Sequence, residues 1–165
     1  MKSFALAALL GHVSADHPNS VNPFTGKTIF PNPTFTANVK QTEADHPDSA
    51  AILSATENIG AATWIDSMKN IEKIAPVLEG AKASGNVPMF VVYDLPNRDC
   101  AALASNGEIT CEDNSCAKGL DTYKTQYVDK VIAEFAKYPD VPIIAIVEPD
   151  SLPNLATNMS DQKCS

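Results

Sequence analysis

Residues 87–95 read Val-Pro-Met-Phe-Val-Val-Tyr-Asp-Leu, an almost unbroken apolar and β-branched run with an acid near its end. A strand apolar on both faces belongs inside a parallel sheet, because a strand with one wet face would alternate. Residues 141–147 (VPIIAIV) repeat the pattern and close in Glu148-Pro149-Asp150, and residues 61–65 (AATWI) give a shorter version before Asp66. Between these runs lie helical spacings. Ile71, Ile74, Leu78 and Ala81 share one face over residues 68–83, stopped by Ser84-Gly85. Leu120, Tyr123, Tyr127, Val131 and Phe135 predict an amphipathic helix of about twenty residues, ended by Pro139. Residues 49–59 read as a further helix with Ile52, Ala55 and Ile59 on one face, and residues 34–39 as a short strand. Residues 96–116 read as a long loop or irregular helix, and helix-like turns follow Asp150 as far as Leu155.

Strand and helix in alternation imply right-handed βα units, about four of them, on a parallel sheet. A doubly wound sheet would announce a glycine-rich phosphate loop after its first strand, and none is present. Instead the strand ends carry acids: Asp66, Asp94 with Asp99 beyond it, and Glu148 with Asp150. A β/α barrel gathers its chemistry at those ends. A closed barrel takes about 250 residues and this sequence has 165. The expected fold is α/β, an incomplete and distorted β/α (TIM-like) barrel of about four units. Its uncovered, apolar sheet edges invite self-association.

Twenty acidic against twelve basic residues give a net charge of -8. Such a surface repels phosphate backbones and anionic lipid, which argues against nucleic-acid and membrane partners and leaves neutral polymers such as sugars. Met1-Lys2, the apolar run at residues 3–10 and Val13-Ser14-Ala15 have the pattern of a secretory signal peptide cut near Ala15; an ordinary apolar helix start is the competing reading. The expected organisation is a signal at residues 1–15 and a partial catalytic domain at 16–165. Residues 16–35, rich in Pro and Asn, should lie extended over the surface. Cys100, Cys111, Cys116 and Cys164 are an even set, as disulfides in a secreted protein require, and allow three pairings. Zinc is the poorer reading, since His12, His17 and His46 all lie upstream of the cysteines. Asn158-Met159-Ser160 is a glycosylation sequon. No metal or organic cofactor is expected.

Acids gathered at one sheet end can supply a general acid and the group that tunes it. Glycoside cleavage needs a carboxyl that keeps its proton until the leaving oxygen takes it. Asp150, after Pro149 at the end of an apolar strand, is the candidate, with partial desolvation raising its pKa and Asp99 as the second carboxylate, held ionised by Arg98. The plainer alternative makes Asp150 a helix N-cap and Asp99–Arg98 a surface ion pair. Trp64, the only tryptophan, is either core or a flat platform for a sugar ring, and Tyr93 is either core or a residue pressing on that ring.

Residues 90–108 (FVVYDLPNRDCAALASNGE) and residues 147–152 (VEPDSL) with Asn154-Leu155 resemble the two signatures of glycoside hydrolase family six, of the fungal cellobiohydrolase II type. Trp64-Ile65-Asp66 and Asn22-Pro23-Phe24-Thr25-Gly26 are similar to further family positions. The resemblance implies a secreted, extracellular enzyme that hydrolyses β-1,4-glucan (cellulose) with inversion and releases cellobiose. It places the proton donor on Asp150, the assisting aspartate on Asp99, and the tyrosine favouring a distorted sugar on Tyr93. It places the serine that helps hold the attacking water on Ser105, and substrate contacts on Trp64 and Asp66. It pairs Cys100 with Cys164; Cys111 and Cys116 have no family counterpart and are expected to pair locally. Asn97 stands where an aspartate is usual. The family domain continues past the position of Cys164 with later strands and a downstream aspartate. The expectation for these residues alone is therefore a chain inactive in isolation, with a non-catalytic, glucan-binding or partner-associating protein as the alternative.

Overall fold

The computed structural model describes residues 24–102, 105–112, 115–161 and 164; the signal-like segment lies outside them. Three strands form a parallel sheet in the order β1 (Thr63–Ile65), β2 (Met89–Val92), β3 (Ile144–Val147). The register sets Trp64 beside Val91 and Val91 beside Ile146. Residues 87–95 therefore supply the central strand, and Phe90, Val91 and Val92 are all buried, as the two-sided apolar reading requires.

One face of the sheet is covered by helices. A 3₁₀ stretch (Met68–Lys73) runs into α3 (Ile74–Ser84), which buries Ile74, Val77, Leu78 and Ala81. Gly85 ends it at φ 71°, a left-handed conformation that glycine adopts without a Cβ penalty. The second covering helix spans α4 (Ala117–Thr122), a π-helical stretch (Tyr123–Val128) and α5 (Asp129–Ala136). Tyr127 and Val131 from this run join Ile65, Phe90 and Leu78 in one apolar cluster. The predicted amphipathic helix is thus real, widened by a π turn where it carries both tyrosines.

Several expectations are corrected. Residues 34–39 are not a strand but part of α1 (Pro33–Asp45). Asn32 caps this helix, its Oδ1 accepting from Thr34 N (2.9 Å) and Phe35 N (3.2 Å), and Pro33 occupies the first turn; these end signals outweigh the β-branched threonines. Residues 49–59 form only short helical pieces, with α2 at Ala50–Leu53 between 3₁₀ turns, and leave Ile52 and Ile59 exposed. β3 is not a buried strand: it occupies the sheet edge, and Val147 is 61% exposed. Among the described residues three strands are present where about four units were expected. Helix α6 (Ser151–Thr157) follows β3 after a short turn.

Candidate functional site

Parallel strands in one sheet point their carboxyl ends the same way, so Asp66, Asp94 and Glu148 all emerge on one side. The loop after β2 folds back over that side through two residues at positive φ, Asn97 (58°) and Asp99 (54°). Asn97 tolerates this conformation well. Its N–H reaches Ile109 O (2.9 Å) and its Oδ1 accepts from Cys111 N (2.9 Å), which ties the loop to residues 109–111. Disulfides join Cys100 to Cys164 and Cys111 to Cys116. The first carries the end of the described chain to this loop, and the second closes a small ring beside it.

Arg98 is the hub of the site. Its Nη1 pairs with Asp99 Oδ2 (3.1 Å) and donates to Ser105 O (2.9 Å). Its Nη2 donates to Asp66 O (2.8 Å), and Nε faces Asp94 Oδ1 at 3.4 Å. One planar guanidinium thus binds groups following β1 and β2 together, a task suited to its fixed fork of donors. Gly107 makes room for it: a Cβ there would lie 2.6 Å from Arg98 Cγ. With its side chain only 12% exposed, the pair with Asp99 is no surface ion pair; sequence spacing missed this because the burial comes from the folded-back loop and from Asp66 O, 32 positions away.

Tyr93, 4% exposed, donates its hydroxyl to Asp99 Oδ1 (2.8 Å) and lies under the Arg98 guanidinium, 5.0 Å from ring centroid to Cζ. Burial, that hydrogen bond and the charges of Asp99 and Asp150 push its hydroxyl pKa up, against Arg98. Of the two candidate carboxylates, Asp99 is the one that bonds this phenol. Trp64 is not a core residue. It is 48% exposed on the sheet face away from the helices and meets Tyr93 edge-on, with ring centroids 5.9 Å apart. Asp66 accepts from Asn70 Nδ2, and Ser105 is exposed.

Asp150 stands at the N-cap position of α6, yet its side chain makes no capping hydrogen bond. Its expected desolvation is not found: Asp150 is exposed, because the strand leading to it lies at the open edge of the sheet. Ser151, its neighbour, bonds back to Glu148 O through Oγ (2.8 Å). Asn158 lies at the end of α6, half-buried, with Nδ2 on Asn154 Oδ1 (3.3 Å). Tyr93, Asp99, Glu148, Ser151, Leu152 and Leu155 are among the residues lining a cleft of about 410 Å³.

Beneath the site lies a polar layer that sequence reading missed. Tyr127, fully buried, donates to Ile65 O and accepts from Tyr93 N (2.9 Å). Tyr123 stacks on Tyr127 and donates to Glu148 Oε1 (2.9 Å), which also accepts from Asp94 N (3.0 Å). The helical spacing of the two tyrosines reads as core, and nothing in that spacing reveals their hydroxyls' partners. Asp94 is fully buried; burial and then the nearby Glu108 carboxylate raise its pKa to about 7, with Arg98 opposing.

The family model for glycosyl hydrolases family 6 matches residues 24–165. "Exoglucanase 3" of Agaricus bisporus is 40% identical over 146 residues, covering 87% of this chain and 32% of the relative. A "Probable 1,4-beta-D-glucan cellobiohydrolase C" of Aspergillus clavatus is 41% identical over 155 residues, covering 88% and 32%. The chain therefore spans about a third of the length of these relatives. Among solved structures, the "CcCel6A catalytic domain complexed with p-nitrophenyl beta-D-cellotrioside" superposes with TM-score 0.77 at 39% identity, covering 87% of this chain and 41% of that one. "Endoglucanase CEL6B from Humicola insolens" gives 0.76 at 27% identity, covering 87% and 44%. With the match covering every described residue and the acids of the strand ends in place, the chain belongs to glycosyl hydrolase family 6.

Proposed function

We propose that this chain carries the acid side of a secreted β-1,4-glucan hydrolase that acts with inversion and releases cellobiose, on a distorted β/α barrel of which these strands are one part. Residues 1–15 act as the secretory signal and residues 16–165 as the partial catalytic domain, with Asn158 a glycosylation site. The observation that carries the reading is the convergence of Asp99 and Arg98 on Tyr93 at the strand ends, with Trp64 exposed beside it.

Asp150 gives its proton to the leaving glycosidic oxygen. Its exposure and its freedom from a capping bond leave the carboxyl available to a sugar. Asp99, fixed by Tyr93 and Arg98, stabilises positive charge growing on the ring. Water attacks from the opposite face across a gap of about 6.5–9.5 Å between carboxyls, with Ser105 helping to hold it. Trp64 stacks on a glucose ring and Asp66 contacts its hydroxyls. Names given to relatives, cellobiohydrolase and exoglucanase, support the substrate class.

The exposure of Asp150 and Val147 favours a second reading for these residues in isolation, glucan binding through Trp64 without turnover. Hydrolysis of amorphous cellulose by the parent and Asp150→Asn tests both. Loss of about 10²–10⁴-fold in turnover supports the acid role; equal activity refutes it. A parent that binds cellulose without cleaving it supports the second reading.

A further inference from the structure

Glu148 sits where the chain leaves β3, two positions before Asp150, and does three things at once. Its N–H donates to Val92 O (2.9 Å), which continues the sheet ladder. Its carbonyl accepts from Ser151 N (3.2 Å) and Ser151 Oγ (2.8 Å), which fixes the turn around Pro149 and Asp150. Its carboxylate turns inward, where Oε1 accepts from Asp94 N (3.0 Å) and Tyr123 Oη (2.9 Å). The backbone adopts φ 47° to allow this, a left-handed conformation that side chains with a Cβ resist. A glutamate is held there only if its contacts demand it.

Those contacts have a common geometry. The Asp94 amide follows Tyr93, whose ring carries the bond to Asp99 and whose N–H is held by Ile65 O (3.1 Å) and Tyr127 Oη (2.9 Å). Glu148 therefore bridges the loop of Asp150 to the strand end that bears Tyr93 and Asp99. The covering helix supplies the third point of attachment through Tyr123. The Oε2 of Glu148 is enclosed and meets no donor among the described residues, so both bonds fall on one oxygen.

We propose that Glu148 is a positioning residue: its buried carboxylate fixes the Asp150 turn against the end of β2, and so sets where Asp150 stands relative to Tyr93 and Asp99. The link to proton donation rests on the glycosidase reading; the clamp itself does not. Glu148 touches no substrate in this role and acts through the turn alone.

Amide hydrogen exchange on the full chain tests the clamp without any activity. Glu148→Ala should speed exchange at Asp94 and Ser151 by at least about tenfold while Tyr93 stays slow, and Glu148→Gln, which keeps an acceptor at Oε1, should restore most of the protection. Unchanged exchange at Asp94 overturns the proposal. So does equal acceleration at Tyr93, which marks general loosening. Should the alanine variant fail to fold, Tyr123→Phe removes one donor and keeps the ring. It should speed Asp94 exchange several-fold with Tyr93 unchanged, and no effect there overturns the proposal. In an active parent, Glu148→Ala should lower kcat by about tenfold with KM nearly constant; the exchange pattern with kcat unchanged also overturns the positioning. A parent that fails to cleave glucan removes the glycosidase reading and leaves the exchange result to decide the clamp.

Discussion

Replacing Arg98 with methionine should destabilise the protein, and more so in mild alkali than in acid. The guanidinium gives hydrogen bonds to Asp99, Ser105 O and Asp66 O and faces the fully buried Asp94. Three lost hydrogen bonds cost on the order of 3 kcal/mol at about 1 kcal/mol each. For a domain of this size that lowers Tm by about 6–12 °C. A further loss depends on pH. Asp94 holds its proton up to about pH 7 in the parent, with Arg98 pulling that value down. At about pH 5 the variant leaves behind a neutral acid, and only the bond losses are felt. Above pH 7 the parent ionises Asp94 against Arg98, whereas the variant must either bury an unpaired anion or keep the proton. Each tenfold strengthening of that hold on the proton costs about 1.4 kcal/mol, or about 3–6 °C more. Thermal unfolding of parent and Arg98→Met at both pH values measures the gap. A gap that stays constant or narrows as pH rises would refute the pairing of Arg98 with a titrating Asp94.

Asp94→Asn isolates the same group. A carboxyl whose folded pKa is raised from 3.8 to about 7 destabilises the fold as pH rises through that window, because the unfolded chain releases its proton first. The asparagine variant should therefore lose less Tm than the parent between about pH 4 and about pH 7. Gly107→Ala puts a methyl 2.6 Å from Arg98 Cγ; denaturant unfolding should show a loss of about 1–3 kcal/mol. Asp99→Asn keeps an acceptor for Tyr93 but removes the charge, so turnover on amorphous cellulose should fall by about 10–100-fold, less than for Asp150→Asn.

What sequence reading could reach follows from the range of the forces involved. The central strand was legible because burial on both faces leaves a continuous apolar run at residues 89–92. The C-terminal end of α3 was legible because Gly85 marks a left-handed cap. Residues 34–39 were misread as a strand because Asn32 and Pro33, a two-residue end signal, outweigh the β-branched residues that follow. β3 has the same apolar composition as β2 but occupies an edge, and composition alone does not distinguish the two positions. The site divides likewise. Tyr93, Arg98 and Asp99 lie within seven positions and showed themselves through a motif, whereas the contacts from Tyr127 to Ile65 and from Tyr123 to Glu148 join residues 62 and 25 positions apart. Such contacts exist only once the helix has docked on the sheet.

Trp64 offers the most direct test of the proposed glucan site, because it is the only tryptophan and stands 48% exposed beside Tyr93. A sugar stacking on its ring changes its emission whether or not cleavage follows. Titration of the full chain with cellotetraose should give a saturable change in fluorescence, absent with the α-linked isomer maltotetraose. No change with cellotetraose, or the same change with both sugars, would contradict a β-1,4-glucan site at these strand ends.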